Sequence, residues 1–331
     1  DFESDPPGVG IAMAVTVPLH LKQLALILFL GFAGCVTPPA PPPALPSLSE
    51  SVEEPEPVAE PPPAPPKIAL VLGGGAAKGF AHVGVIKSLE AHGIPIDIIV
   101  GTSAGSVVGA LYAAGNSGFE LQRIALSMDE STVSDWVLPN RGFIKGESLM
   151  KFINEAVKGR PIEQLDRKLA IVATDLQSGE LIVFERGNTG LAVRASSSVP
   201  GVFQPVKIAG REFVDGGLVS PVPVKTARDL GADIVVAVDI SDKPKTSRLK
   251  DSIDVLMQTF TIMGRVIAGK ELFFADVVVT PDITGLNSAN FDSRNLAIIE
   301  GEKAGLEAVV RLKEKIAAYY EAKKAPAAQT K

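Results

Sequence analysis

Residues 67–115 read KIALVLGGGAAKGFAHVGVIKSLEAHGIPIDIIVGTSAGSVVGALYAAG, and this stretch decides the fold class. Ile68–Leu72 is an unbroken apolar run that ends in Gly73-Gly74-Gly75, the pattern of a strand buried on both faces as it enters a tight turn. Gly79–Ala91 predicts a helix, stopped by Gly93 and Pro95. Its early positions Gly79, Ala81 and Gly84 are small, which predicts close approach to a sheet. Ile96–Val100 predicts the next buried strand and Ala104–Ala114 the next helix, ended by Gly115. Strand, helix, strand, helix is the unit of an α/β fold with a mostly parallel sheet.

Working outward, strands are expected at Leu169–Thr174, Glu180–Phe184, Glu212–Val214, Ile234–Val238 and Val277–Thr280. Helices are expected at Val224–Leu230, Ile253–Ala268 and Asn295–Tyr320, with 321–331 as a frayed tail. The chain has 331 residues, 46% of them hydrophobic and 21% charged, which suits one large domain with appendages. A net charge of −6 and only 5% aromatics argue against a nucleic-acid partner, which calls for a basic stripe or stacking platforms. The single cysteine, Cys35, excludes an internal disulfide and a multi-cysteine metal site. Three histidines (His20, His82, His92) leave almost nothing for zinc, so no metal or other cofactor is expected.

Residues 1–35 read as a leader. Leu24–Gly34 is apolar but only 11 residues long, about 16 Å of helix against a bilayer core of about 30 Å. It follows His20 and Lys22 and closes on small residues, the layout of a secretory signal. Met13 is a candidate start, which would make residues 1–12 an upstream artefact. Phe32-Ala33-Gly34-Cys35 resembles the bacterial lipobox, with Phe32 where leucine is usual. That resemblance implies acylation of Cys35 by palmitate-type chains and a membrane-anchored protein of the bacterial cell envelope facing the periplasm. Val36 after the cysteine favours the outer membrane. An ordinary cleaved leader with an incidental cysteine is the plainer alternative. Residues 36–66 hold half of the chain's 26 prolines together with Glu50, Glu53, Glu54, Glu56 and Glu60, a composition that builds an extended, solvated spacer.

Three short segments carry candidate chemistry. Gly101-Thr102-Ser103-Ala104-Gly105 has the G-x-S-x-G form between an apolar strand and a helix, the context that thrusts a serine out of a sheet on a sharp turn. Gly73-Gly74-Gly75-Ala76-Ala77-Lys78-Gly79 fails the P-loop form, because Gly79 follows Lys78 where serine or threonine is required. Its backbone N–H groups suit an oxyanion hole better, with Gly73, Gly74, Gly75 and Ala76 as candidate donors. Lys78 is expected either to orient this loop or to meet a phosphate head group, and a solvated lysine is the plain reading. A histidine base is hard to find: His20 is in the leader, His92 ends a helix, and His82 sits among small helical residues. Asp215, before Gly216 and Gly217, is the remaining candidate, although Asp-Gly-Gly alone reads as a turn.

Taken in order and spacing, Val71–Glu90, Gly101–Gly105 and Asp215–Gly217 resemble the three blocks of patatin-like phospholipases, nearest the bacterial branch around neuropathy target esterase. Gly142–Leu149, Ala173–Leu176 and Arg194–Pro205 also fit, so the resemblance covers Lys67–Tyr320. It implies a three-layer α/β/α domain over 67–320 that hydrolyses acyl esters of membrane lipids with a Ser–Asp dyad. Ser103 matches the nucleophile and Asp215 the dyad acid. Gly74, Gly75 and Ala76 fall on the oxyanion triple glycine, with Ala76 in place of the third glycine. Lys78, Gly79, Gly101, Gly105, Gly216 and Gly217 fall on the supporting positions, and Ser196, Ser197 and Ser198 on a helix end with a structural role. A general carboxylesterase or thioesterase, or a lipid-binding protein without turnover, are the competing function classes. A cover over the site is expected from about Ser127 to Lys145, where Trp136 and Phe143 lie in a weakly periodic stretch.

Overall fold

The computed structural model describes residues 63–128, 146–244, 249–284, 286 and 293–324. The leader, Cys35, the spacer up to Pro62, the cover expected over 129–145 and residues 325–331 lie outside the described residues. In chain order the elements are β1 (Ile68–Leu72), α1 (Phe80–Ala91), β2 (Ile98–Thr102), α2 (Ala104–Ala113), α3 (Gly118–Ser127), α4 (Glu147–Ala156), β3 (Lys168–Asp175) and β4 (Leu181–Phe184). They continue with α5 (Thr189–Ser196), β5 (Val206–Ile208), β6 (Arg211–Asp215), α6 (Val224–Asp229), β7 (Ile234–Val238), α7 (Ser252–Leu272), β8 (Val277–Val279) and α8 (Arg294–Lys324).

One sheet runs in the order β5-β6-β3-β2-β1-β7-β8, with β4 also on β3. The strands β3, β2, β1, β7 and β8 are parallel to their neighbours, while β4, β5 and β6 enter antiparallel. Every residue of β1, β2 and β7 is buried, so both faces of the central sheet must be covered. Alternation divides those residues between two cores. Ile68, Leu70, Leu72, Ile99 and Val236 pack with α1, α2, α3 and α8. Ala69, Val71, Val100 and Val235 pack with Val224 and Ala227 of α6 and Ala268 of α7. Helices on both faces of a mostly parallel sheet give the expected α/β/α layering.

The register of β3 positions the site. Ala173 and Thr174 pair with β4 on one side and with Asp215 and Val214 of β6 on the other. Ile171 and Val172 pair with β4 and, across the opposite edge, with Gly101 and Thr102 of β2. Therefore β2 and β6 share one edge of β3 and meet head to head. Thr102 faces Val172, and Asp215 faces the next residue, Ala173.

Two expectations shift. β2 spans 98–102 rather than 96–100, because Asp97 is fixed at the strand entrance: its carboxylate accepts the Ile68 N–H at 2.8 Å and its own N–H donates to the Ile68 carbonyl at 2.9 Å. The last helix runs on to Lys324, so 321–324 are helical and not frayed. The small face of α1 meets helices, not the sheet. A Cβ on Gly84 would lie 2.0 Å from the Ile298 carbonyl of α8, and one on Gly301 would lie 2.0 Å from the Ala81 carbonyl. On Gly79 it would meet the Ala104 Cβ of α2 at 2.8 Å. Small residues on α1 and α8 thus let two helix backbones touch.

Gly301→Val forces those backbones apart and is expected to cost at least the 1–3 kcal/mol typical of overpacking, about, read from urea midpoints at constant m-value. Gly269→Ala is the counterpart: no atom lies within 4 Å of its added Cβ, so the variant is expected to gain up to about 1 kcal/mol from helix propensity.

Candidate active site

At the end of β2 the chain reverses into α2 within a single residue. Ser103 carries this turn at φ 52°, ψ −121°, a conformation that side chains rarely adopt. The turn closes only because its neighbours lack a Cβ. One on Gly105 would sit 2.0 Å from the Leu72 carbonyl, and one on Gly101 2.6 Å from the Gly105 carbonyl. The Ser103 N–H donates to Ser196 Oγ at 2.8 Å, and the Ser196 hydroxyl donates to the Val172 carbonyl at 2.6 Å. Ser196 therefore ties the serine turn to β3, a bracing role within the structural expectation for that stretch.

Asp215 arrives from the opposite direction. Its N–H donates to the Ser198 carbonyl at 3.0 Å, and its carbonyl accepts from Thr174 Oγ1 at 2.8 Å. The next residue has no room for a side chain, since a Cβ on Gly216 would be 2.4 Å from the Val172 carbonyl. Asp215 is only 6% exposed, and its side chain accepts from the Gly217 N–H at 2.7 Å. Burial pushes its carboxyl up to about 6, against the opposing pull of the neighbouring Ser103 hydroxyl and the Gly217 N–H. A nucleophile candidate and a carboxylate of raised basicity thus line one cleft.

The glycine loop after β1 lies alongside, because β1 and β2 are parallel neighbours whose carboxyl ends open on the same side. Not all four candidate donors are free. The Gly73 N–H donates to the Val238 carbonyl at 3.1 Å and the Gly74 N–H to the Pro221 carbonyl at 3.0 Å. These two residues anchor the loop, and the donor role narrows to Gly75 and Ala76, with Ala76 at φ 49°. Ala104 opens α2, so its N–H has no acceptor within the helix. Lys78 is buried and paired with Asp242, which fits the orienting role and leaves it neither solvated nor available to a head group.

His82 is fully buried, its Nε2–H donating to the Gly73 carbonyl at 2.8 Å, while its Nδ1 has no hydrogen-bond partner. Burial holds its pKa down at about 4, so the ring is a neutral prop under the loop. His92 hydrogen-bonds the Ser88 carbonyl one turn back. Among the described residues no group of three or more His, Cys, Asp or Glu side chains is placed to hold a metal ion.

One supporting residue carries no sequence signal. Glu271, near the end of α7, accepts from the Ser220 hydroxyl and from the Val222 N–H at 3.0 Å. The segment it holds is attached to both halves of the site: the Ser220 carbonyl accepts from Thr102 Oγ1 at 2.9 Å, and the Pro221 carbonyl accepts from Gly74. Burial raises the Glu271 carboxyl to about 7. The cleft between these elements is lined by the loop, Ser103, Asp215, Ser241 and Asp242, with Phe260, Met263 and Arg265 of α7 across from them.

Comparison with known proteins gives a consistent picture. The family model described as patatin-like phospholipase matches residues 70–228. Patatin-like phospholipase domain-containing protein 6 of Homo sapiens is 32% identical over 230 residues, which are 67% of this chain and 16% of that protein. An uncharacterized NTE family protein of Mycobacterium tuberculosis is 37% identical over 179 residues, 53% of this chain and 49% of that protein. The chain thus spans about half the length of the mycobacterial relative. VipD from Legionella pneumophila shares the fold, with a TM-score of 0.50 and 13% identity over 77% of this chain and 67% of that one.

The Glu271 clamp makes two measurable claims. Glu271→Ala leaves a buried hydroxyl and a buried N–H without their acceptor, an expected loss of about 1–3 kcal/mol in urea unfolding. The pH dependence has a definite sign. A carboxyl whose folded value (about 7) exceeds its ordinary 4.5 contributes stability that is full below 4.5 and is lost as pH rises through about 7. The parent is therefore expected to lose more stability between pH 5 and pH 8 than Glu271→Gln, which has no proton to release.

Proposed function

Since residues 70–228 match the family model of patatin-like phospholipases, we propose that this chain is a lipid acyl hydrolase that cleaves acyl ester bonds of phospholipids or lysophospholipids through an acyl-enzyme. The observation that carries the reading is the placement of the strained Ser103 and the buried Asp215 in one cleft, beside a loop with open N–H groups. Ser103 Oγ attacks the ester carbonyl as its proton passes to Asp215. The oxyanion that forms accepts hydrogen bonds from the N–H groups of Gly75, Ala76 and Ala104. The tetrahedral intermediate collapses with breakage of the bond to the leaving alcohol, whose oxygen takes the proton from Asp215. A water then gives its proton to Asp215 and attacks the acyl carbon; the proton returns to Ser103 Oγ as the fatty acid leaves.

A carboxylate is a weak base in water, and burial strengthens it here. With the Asp215 carboxyl at about 6, more than two pH units above its ordinary 3.8, proton transfer from serine is less uphill while the group stays mostly ionised at neutral pH. The lipid substrate is supported by the rim of the cleft. Met263 of α7 lines it and, like its neighbours Ile262 and Val266 on the same helix, is about half exposed, an apolar stretch suited to a lipid surface. We further propose that Cys35 is the acylated anchor that keeps the enzyme on a bacterial membrane facing the periplasm. Two or more chains bind a membrane stably where one binds marginally. Loss of the Cys35→Ser variant from the membrane fraction is the expected result; retention like the parent removes the anchor.

The dyad is tested on a chromogenic short ester, a lysophospholipid and a diacyl phospholipid side by side. Ser103→Ala and Asp215→Asn are each expected to abolish most turnover with circular dichroism unchanged. The double variant should be no worse than either single one, because the two groups act as a unit. Since Asp215 must be ionised to accept a proton, kcat/KM is expected to rise with pH through about 6 and level off above it. A fluorophosphonate should label the parent at Ser103 and not Ser103→Ala. Turnover of the short ester alone would replace the lipase reading with a general esterase.

A further inference from the structure

Helix α7 lies along one wall of the cleft and is fixed there at three points. Near its start, Leu256 covers Gly201, where an added Cβ would sit 2.8 Å from the leucine Cδ2, next to Val199 and Pro200 of the cleft wall. At its middle, Gly264 faces the turn after Asp215, its Cβ position 4.0 Å from the Gly217 carbonyl oxygen. Near its end, Glu271 holds Ser220 and Val222. The residue after Gly264 is Arg265, which lines the cleft together with Ser103 and Asp215. Its place is therefore set by the backbone on either side of it and not by a contact of its own.

Among the described residues Arg265 is the one cation lining this cleft, and no hydrogen bond, ion pair or ring contact holds it. Other arginines of the domain pair with carboxylates: Arg160 with Asp166, Arg167 with Glu90, Arg211 with Asp175 and Arg228 with Asp276. On α7 itself the positions three and four away are Thr261, Ile262, Ala268 and Gly269, none of them an acid. Lys78, the cation of the glycine loop, is already paired with Asp242. A guanidinium presents paired donors that match two oxygens of a phosphate. An anionic substrate also needs such a cation here, because the proposed base Asp215 must be ionised when the substrate enters. We propose that Arg265 binds the phosphodiester of the lipid head group and so sets a preference for phospholipids over neutral glycerides. This rests on the acyl-hydrolase reading above and specifies its substrate class. The contact is with the phosphate, so it selects for the charge and not for the head-group alcohol.

Two measurements test the assignment. Dihexanoyl phosphatidylglycerol and dihexanoylglycerol, compared as monomers in solution, offer the same ester bonds and differ in the phosphorylated head group. In Arg265→Gln the ratio of kcat/KM for the first over the second is expected to fall about tenfold or more, chiefly through KM. Arg265→Lys is expected to recover part of that loss, since lysine keeps the charge without the paired donors. An unchanged ratio in Arg265→Gln overturns the proposal. The second measurement needs neither turnover nor a change at Arg265. In Ser103→Ala, phenylglyoxal modification of Arg265, followed by peptide mass spectrometry, is expected to slow with dihexanoyl phosphatidylglycerol and not with dihexanoylglycerol. Equal rates with the two lipids overturn the phosphate site. Failure of the parent to turn over either lipid overturns the hydrolase reading, whereas protection of Arg265 by the phospholipid alone still supports the phosphate site.

Discussion

The head-to-head meeting of β2 and β6 on one edge of β3 is the constraint from which the rest of the site follows. Two strands running toward each other along a shared neighbour must both stop, and each stops at a candidate functional side chain: Thr102 before Ser103 in one, Asp215 in the other. The gap between them faces the Ser103 hydroxyl and the Asp215 carboxylate in place of a backbone ladder. Val172 sits beneath this gap, its carbonyl taken up by the Ser196 hydroxyl and its strand face pressed by Gly216. Positioning therefore comes from β3, a strand that contributes no reacting group. In the proposed dyad, sheet register leaves no need for a third member to orient the base, as a mobile imidazole would have.

This constraint explains which parts of the molecule could be read from the sequence. The buried parallel strands were legible because their faces are uniformly apolar, and the serine turn because its flanking glycines answer to backbone collisions within five residues. The short strand β5 and the helices α3 and α4 carry little signal in the sequence, and α5 shows there only as the helix end at Ser196–Ser198. β5 has three residues and one buried side chain, too little for alternation to show. α3 is set by a local device, the Ser117–Glu120 capping box, but its apolar face is filled by long-range neighbours. The donors of the glycine loop illustrate the same limit. Four adjacent N–H groups look equivalent in sequence, and only the approach of Val238 and Pro221 from distant segments separates anchors from donors. Glu271 is the extreme case, since its partners Ser220 and Val222 lie 51 and 49 positions away and no spacing rule connects them.

Departures from ordinary protein chemistry gather around one cleft, and their distribution is itself informative. Among the described residues, four non-glycine residues have positive φ. Two of them, Lys158 and Ala209, are each followed by a glycine also at positive φ, and Ala209-Gly210 makes the tight turn between β5 and β6, where such dihedrals are demanded. The other two, Ala76 and Ser103, have no such explanation and line the same cleft. The carboxyls raised by burial follow the pattern: Asp215 is in the cleft, and Glu271 holds the segment that anchors its floor. Both are raised by burial, so both cost the fold stability at neutral pH. A chain that only had to fold would replace them with neutral side chains. Local rules broken together at one place, with the surrounding sheet regular, are what a preorganised site requires: strain in Ser103 aims the hydroxyl, desolvation of Asp215 makes it basic, and a rigid α/β/α frame carries the cost of both.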